Sequence, residues 1–454
     1  MKLDDIHRAH FLGIGGIGMS SLALYFISKG VQVSGYDRTE SSITKELVQK
    51  GADVFYDDQI NFILDKENID VVVYTPAIPK SNNQLSYFLA HHDFVIKRAE
   101  LLGLMTKNNF CIAVAGTHGK TTTSSIVAHM LEYSGLGCTA FLGGMSSNYN
   151  SNLILNQSSN NVVVEADEYD RSFLSLSPDI VLLTSIDADH LDVYGSIENI
   201  KKGFQKFIDL ISESGILVSN YGLDVSANNT LFYGESNMAN FRIQNIRVEN
   251  HEHYFDLSYN DVMVENIHLG VPGYHNVYNA AAVVVLGIHL GIEMKIIKSA
   301  LATFKGVKRR FEYLLKTSSL VYIDDYAHHP KEIEACLYSV KQLFPGKKIT
   351  VIFQPHLFSR TSDFMDDFAS SLSKVDELIL LEIYPARELP IEGISSNALL
   401  NRIDCTNKIL VSKEELIPEL ENRILEVVLT MGAGDIDRLV DPIKDMLDSK
   451  IAKN

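Results

Sequence analysis

Residues 110–135, FCIAVAGTHGKTTTSSIVAHMLEYSG, leave the chain few ways to fold. The apolar run 111–115 reads as a buried parallel strand. A glycine-bearing turn follows, Gly116-Thr117-His118-Gly119-Lys120-Thr121, and then a helix that ends at Gly135. The helical spacing predicts one buried stripe of Ile126, Val127, Met130 and Leu131. Glycines let backbone N–H groups curl round a phosphate, a lysine supplies charge to the outer phosphates, and a hydroxyl just after it suits Mg²⁺. The loop departs from the usual GxxxxGK[ST] spacing: two residues separate Gly116 from Gly119, and Val114 holds the earlier glycine position. A turn that merely joined strand to helix would need neither Lys120 nor the hydroxyls of Thr121 and Thr122. The stretch therefore predicts a nucleoside triphosphate site for ATP at Gly116, Thr117, His118, Gly119, Lys120, Thr121 and Thr122.

At 454 residues the chain exceeds one compact core, and its alternation of short apolar runs with helical stretches predicts an α/β fold in three domains, 1–108, 109–311 and 312–454. In the first, residues 9–12 form a strand that enters Gly13-Ile14-Gly15-Gly16-Ile17-Gly18, followed by a helix over 19–27. A second strand, 31–36, ends at Asp37, and further strands are expected at 52–56, 71–75 and 94–96. The glycines and the acid about 20 residues on match a dinucleotide fingerprint. A UDP-sugar offers the same pyrophosphate and ribose, so both ligands remain open on the residues alone. Thr75-Pro76-Ala77-Ile78-Pro79 follows the fourth strand, as a ligand edge or as a stiffened loop.

In the middle domain the apolar strand 161–166 delivers Glu165-Ala166-Asp167-Glu168-Tyr169-Asp170. Acids crowded beside a phosphate loop suit Mg²⁺, with Glu165 as the anchor. A strand over 180–186 repeats the arrangement and ends in Asp187-Ala188-Asp189-His190, where His190 is a candidate ligand for a second divalent ion. Asn276 and Asn279 open an all-apolar helix and suit an adenine edge, or a helix cap. Lys305–Phe311, with Arg310, is a linker or a phosphate-facing hinge. The third domain has expected strands at 319–324, 348–353, 377–383, 408–411 and 427–430, with helices at 332–341 and 364–372. After these strands gather Tyr326, His328, His356 and Arg360. Adjacent His328 and His329 share no face, which argues against a metal pair.

A net charge of -17 argues against nucleic acid or an anionic membrane as partner. The four scattered cysteines read as buried thiols in a reducing compartment. Neither a signal peptide nor an apolar run long enough to span a bilayer is visible, and the cytoplasm is expected.

In this order, GIGGIGMS, TPAIP, AGTHGKTTT, EADEYD, DADHLD, GYHNVYNAAA, KRRFE, DDYAHHP, QPHLFSRT and MGAGD resemble the Mur ligase family over nearly the whole chain, and its alanine-adding branch in particular. The resemblance implies that the first domain holds UDP-N-acetylmuramate rather than a nicotinamide, at Gly13, Gly15, Gly16, Gly18, Asp37, Thr75 and Ala77. It implies that ATP phosphorylates the lactyl carboxylate and that the amine of L-alanine attacks the acyl phosphate, in cytoplasmic peptidoglycan precursor synthesis, by a monomer or homodimer. Lys120, Glu165, His190 and Arg360 become the catalytic set. Thr121, Glu165 and His190 become metal ligands for Mg²⁺, for which Mn²⁺ can substitute. Asn276, Asn279 and Arg310 fall to ATP, and Tyr326, His328, His356 and Arg360 to the amino acid, with Arg360 on its carboxylate. Some relatives carry arginine directly after the QPH histidine where this chain has Leu357, which leaves one cation fewer for substrate. Lys201, Lys202 and Lys206 do not line up as a carbamylated metal bridge. Three rivals stand beside this reading. A peptide-adding ligase of the same family would use tripeptide. An NAD-dependent oxidoreductase would bind NADH. A non-catalytic UDP-sugar binder would leave Lys120 and Glu165 without a task. Domain closure is expected, with hinges near 107–110 and 308–311 and compaction when both nucleotides bind.

Overall fold

The structure, a computed structural model, describes residues 2–63, 66–188, 191–386 and 388–453. Three sheets carry the chain. The first holds β1 (Arg8–Leu12), β2 (Gln32–Tyr36), β3 (Asp53–Phe55), β4 (Val71–Tyr74) and β5 (Val95–Lys97) in the order β3-β2-β1-β4-β5, all parallel. The chain thus reverses direction of growth between β1 and β4, the switch point at which open α/β sheets bind ligands.

The second sheet has ten strands. They are β6 (Phe110–Ala115), β7 (Thr139–Ser146), β8 (Ser151–Ile154), β9 (Asn161–Ala166), β10 (Ile180–Leu183), β11 (Ile216–Asn220), β12 (Thr230–Gly234), β13 (Phe241–Glu249), β14 (Glu252–Tyr259) and β15 (Val262–His268), ordered β15-β14-β13-β12-β11-β10-β6-β9-β7-β8. Its centre, β9-β6-β10-β11, is parallel and apolar on both faces, as strands covered by helices must be. Sequence periodicity missed β7, β8 and β11 to β15, whose residues mix polar and apolar side chains without a clean alternation. In β13 and β15 the left-handed Asn245 and Asn266 break the period. Both are pinned to Asp256 of β14, by the Asn245 side chain at 2.7 Å and the Asn266 backbone N–H at 2.7 Å.

The third sheet runs β16 (Glu312–Lys316), β17 (Val321–Asp325), β21 (Val427–Met431), β18 (Ile349–Phe353), β19 (Glu377–Leu380), β20 (Lys408–Leu410), with only β16 antiparallel. The chain forms two compact units. One runs to Asn245 and adds Phe255–Ile267 and Tyr278–Lys305; the other takes Ile246–Tyr254, His268–Val277 and Gly306 onward. The segment expected to flex, 308–311, is strapped within the second unit. Arg309 pairs with Asp324 at 3.0 Å and reaches the Gly432 carbonyl at 2.7 Å, while the Phe311 N–H donates to Asp325 at 2.7 Å.

Within the first unit, the helix Arg98–Thr106 lies against residues 169–175 of the middle segment. Gly103 makes this possible: a Cβ there would sit 2.2 Å from the Ser175 carbonyl oxygen. Gly103→Ala is expected to cost about 1–3 kcal/mol, the range for forcing an extra carbon into a packed contact. Thermal unfolding checks this, and an unchanged midpoint would show that the contact yields freely. One expectation is corrected here. The helix Lys120–Ser134 is buried without a break from Thr121 to Leu131 rather than along a single stripe. It is enclosed by its own sheet and by the helix Met294–Thr303, where Gly287 lets Met130 and Ile297 come together.

Candidate active site

The turn after β6 wraps tightly because Gly119 is left-handed, φ +81°, at the helix N-cap. A side chain there would meet the Asn279 amide oxygen at 2.7 Å, so the helix Tyr274–His289 abuts the loop. Lys120 Nζ donates to the carbonyls of Gly116 (2.6 Å) and Thr117 (3.3 Å) and to both Glu168 oxygens (3.0 and 2.8 Å). Its side chain is 16% exposed and that of Glu168 is 1%. Burial pulls the ammonium down, but Glu168, Asp167 and Glu165 together outweigh it and hold its pKa above the ordinary lysine value.

Thr121 donates to Glu165 Oε2 at 3.1 Å. Ser124 (3.1 Å) and the Gly143 N–H (2.6 Å) donate to Oε1, so the carboxylate is fixed by donors from two elements. Hard oxygens of Thr121 and Glu165, side by side, fit a divalent cation of the Mg²⁺ type. His190 and Asp189 lie outside the described residues. Among the described residues, no group of three or more His, Cys, Asp and Glu is arranged to hold a metal.

The end of β10 clamps the loop. Thr184 donates to the His118 carbonyl at 2.5 Å, and Ser185 bonds the Thr117 hydroxyl and the His118 N–H, each at 3.0 Å. Asp187 lies 3.7 Å from His118. Sequence reading noticed the acids after this strand but not Thr184 or Ser185. Two hydroxyls at a strand end carry no signal until the neighbouring strand is known.

At the first sheet, Asp37 accepts from the Gly15 N–H at 2.8 Å, and the Gly13 and Ile14 N–H groups donate to Tyr36 O at 2.7 and 3.0 Å. Thr75 lies against Gly13, and the Ala77 N–H points to the Thr75 hydroxyl at 3.4 Å. Gly13, Gly15, Gly16, Asp37, Thr75 and Ala77 thus share one sheet edge, while Gly18 sits against the Arg98 guanidinium. Arg98 reaches Asp167 at 3.7 Å and Lys97 reaches Asp170 at 3.2 Å. The glycine loop and the acids after β9 are therefore linked through the start of one helix. Arg98 was not foreseen; a lone arginine after a short strand looks like any surface cation.

In the second unit, Asn276 is not a cap. It lies inside the first helical turn, buried, and donates to the Pro272 carbonyl at 2.6 Å. The Tyr326 ring lies under the guanidinium groups of Arg309 (5.2 Å) and Arg310 (4.9 Å). His328 bonds the Tyr326 carbonyl at 2.8 Å, and its ring lies 6.1 Å from that of His356, which stacks on Tyr384. Arg360 comes from the short helix Phe358–Asp363, entered through a left-handed Leu357, φ +71°. An open groove of about 980 Å³ lies at the opposite end of this sheet. Its Lys347 and Lys348 are paired with Glu426 and Glu377, and its Lys341 donates to the Lys374 carbonyl at 2.6 Å.

Burial, with Arg360 adding to it, pulls the His328 imidazole down to about 4 against the opposing pull of Glu332. His356 is drawn to about 4 by burial, His328 and Arg360. Both folded values lie below 6.5, so the folded chain binds fewer protons than the unfolded chain between about 4 and 6.5. Stability therefore falls as pH drops through that window. Asp325, pushed up to about 6 by burial, has the opposite slope, so a difference measurement is needed. Melting curves of His356→Gln should lose less on acidification than those of the native sequence. Parallel curves would refute the shift.

Sequence profiles of the Mur ligase family match three stretches: its catalytic domain over residues 8–109, its middle domain over 114–287 and its glutamate ligase domain over 309–434. The UDP-N-acetylmuramate–L-alanine ligase of Cytophaga hutchinsonii is 47% identical, covering 100% of this chain and 99% of that protein. That of Flavobacterium psychrophilum is 49% identical over 99% of this chain and 100% of that protein. The crystal structure of the UDP-N-acetylmuramate–alanine ligase from Thermotoga maritima superposes with a TM-score of 0.84 at 29% identity, over 98% of this chain and 99% of that one. With a phosphate loop, a pinned carboxylate and three parallel-rich sheets matched along the whole length, the chain belongs to the Mur ligase family.

Proposed function

We propose that the chain is an ATP-dependent ligase that joins L-alanine to the lactyl carboxylate of UDP-N-acetylmuramate. The observation that carries this reading is identity of 47–49% over essentially full length to ligases of that name. A lactyl carboxylate oxygen attacks the γ-phosphorus and ADP leaves, giving an acyl phosphate. The alanine nitrogen, having lost its proton, adds to the acyl carbon, and the tetrahedral intermediate expels phosphate to leave the amide.

Lys120 spreads the charge of the transferring phosphoryl group while the backbone of Gly116, Thr117, His118 and Gly119 cradles the phosphates, with Thr121 and Thr122 closing the loop. Thr121 and Glu165 hold Mg²⁺, with Mn²⁺ as a substitute, and His190 serves as a further ligand. Bound there, the ion would supply charge neutralisation to the phosphates. Asn276, Asn279 and Arg310 serve the nucleotide. Gly13, Gly15, Gly16, Gly18, Asp37, Thr75 and Ala77 hold the UDP-sugar, in a domain ending near residue 108, with the middle domain ending near 311. Tyr326, His328, His356 and Arg360 take the amino acid. Arg360 supports an anionic carboxylate site, and the two neutral imidazoles beside it add no positive charge of their own against the incoming ammonium. The reaction belongs to the cytoplasm, with small molecules as its only substrates.

Phosphate release by the purified protein with ATP, Mg²⁺ and UDP-N-acetylmuramate tests this, with alanine, glycine, serine, tripeptide or no amine. Alanine-dependent release is expected. Release with tripeptide alone would reassign the chain to the peptide-adding branch.

A further inference from the structure

The edge of the second sheet that bears the phosphate loop continues past it into groups without a task in the mechanism above. Strands β6, β10, β11 and β12 are successive neighbours. Residues leaving their C-terminal ends form one row: the loop, then Thr184 and Ser185, then Asn220-Tyr221, then Gly234-Glu235. The row is bonded throughout. Thr184 holds the loop at His118, Asn220 Nδ2 approaches the Thr184 carbonyl at 3.4 Å, and the Tyr221 N–H donates to Tyr233 O at 2.8 Å.

At its far end, the Glu235 carboxylate accepts the Tyr278 hydroxyl, and the Glu235 carbonyl takes Arg242 Nε at 3.3 Å. Tyr278 directly precedes Asn279, which abuts Gly119. One helix therefore touches both the phosphate loop and Glu235. From β6 to β12 is three strand spacings, about 14 Å. That is comparable to the reach of an extended nucleotide from its outer phosphates to its base. Tyr221 follows Asn220 on this edge, 40% exposed, with its ring edge-to-face with Phe232 at 5.8 Å, and it brings to the row an aromatic side chain of the kind on which a base stacks.

We propose that Glu235, held in place by Tyr278, selects the base of ATP. Its carboxylate accepts the exocyclic amino group of adenine and repels the keto oxygen that guanine carries at the same ring position. A carboxylate takes several donors at once, so a bond from the tyrosine hydroxyl orients it without exhausting it. Glu235 is exposed at this edge and open to a ligand, and the half-buried Tyr278 is what orders its carboxylate. The proposal rests on the ATP reading above and deepens it to the choice of base.

The test uses the full-length protein and measures kcat/KM for ATP and for GTP in the phosphate-release assay, with isothermal titration of ATP alongside. Glu235→Ala is expected to narrow the ATP-over-GTP ratio by about tenfold or more, because an unmatched acceptor at a polar site is strongly disfavoured. The change should lie in KM, with kcat at saturating ATP nearly unaltered. Glu235→Gln, whose amide can donate to a keto oxygen, should admit GTP further, and Tyr278→Phe should move the ratio the same way by less. An unchanged ratio in both Glu235 variants, with folded protein by circular dichroism, overturns the base-selecting role and leaves the ligase intact. A native protein that neither binds ATP nor releases phosphate overturns the underlying function instead.

Discussion

Lys120→Ala is expected to abolish phosphate release, a loss of about 10³-fold or more, because a preorganised cation at a phosphoryl group stabilises charge that develops only in the transition state. The variant has a second effect that must be separated from the first. Lys120 is bonded to both oxygens of Glu168, whose side chain is 1% exposed. Deleting one member of a buried pair costs about 3–5 kcal/mol, because the remaining charge has lost its chief compensation. Inactivity accompanied by a lower melting point would therefore be ambiguous. The double variant Lys120→Ala with Glu168→Gln resolves it. The neutral amide removes the buried charge, so stability should recover while activity stays lost. Recovery of both would mean that Lys120 serves the fold alone.

The second large effect concerns Arg360. Arg360→Ala is expected to raise the KM for alanine by about 10²-fold, with Arg360→Lys intermediate. A charge-assisted bidentate bond to a carboxylate contributes a few kcal/mol, and lysine keeps the charge without the planar fork. The KM for ATP should stay put. An independent readout exists in the same molecule. The Arg360 guanidinium lowers both His328 and His356, so both imidazoles should titrate at higher pH in Arg360→Ala, observable by NMR without any substrate. A variant with a raised alanine KM and unmoved histidines would place the guanidinium away from the two rings.

Much of this molecule is legible along the chain. Strands β1, β6, β9, β10 and β18 are short apolar runs, and the glycines and acids that follow them are strand ends by position. Local periodicity and turn chemistry act over a few residues, and those signals need no partner. The family could be read for the same reason, since its motifs are contiguous. Contacts between distant segments are another matter. That Lys120 would bond Glu168, that Ser185 would clamp the loop, and that Asn279 would press on Gly119 depend on which strands become neighbours. The β13 to β15 run was hidden because left-handed asparagines break its period and Asp256, a buried charge, repairs it. The helix after the phosphate loop was misjudged as one-sided because its threonines and serines look solvent-facing. Only the enclosing sheet and helix reveal that these residues are covered; Ser124 and Ser125 tolerate it because their hydroxyls bond back to Thr121 O within the helix itself. Sequence alone determined the short apolar central strands and the chemistry at their ends, because both are local. Tertiary structure decided which of those ends meet, because burial and charge pairing act between residues that the chain keeps far apart.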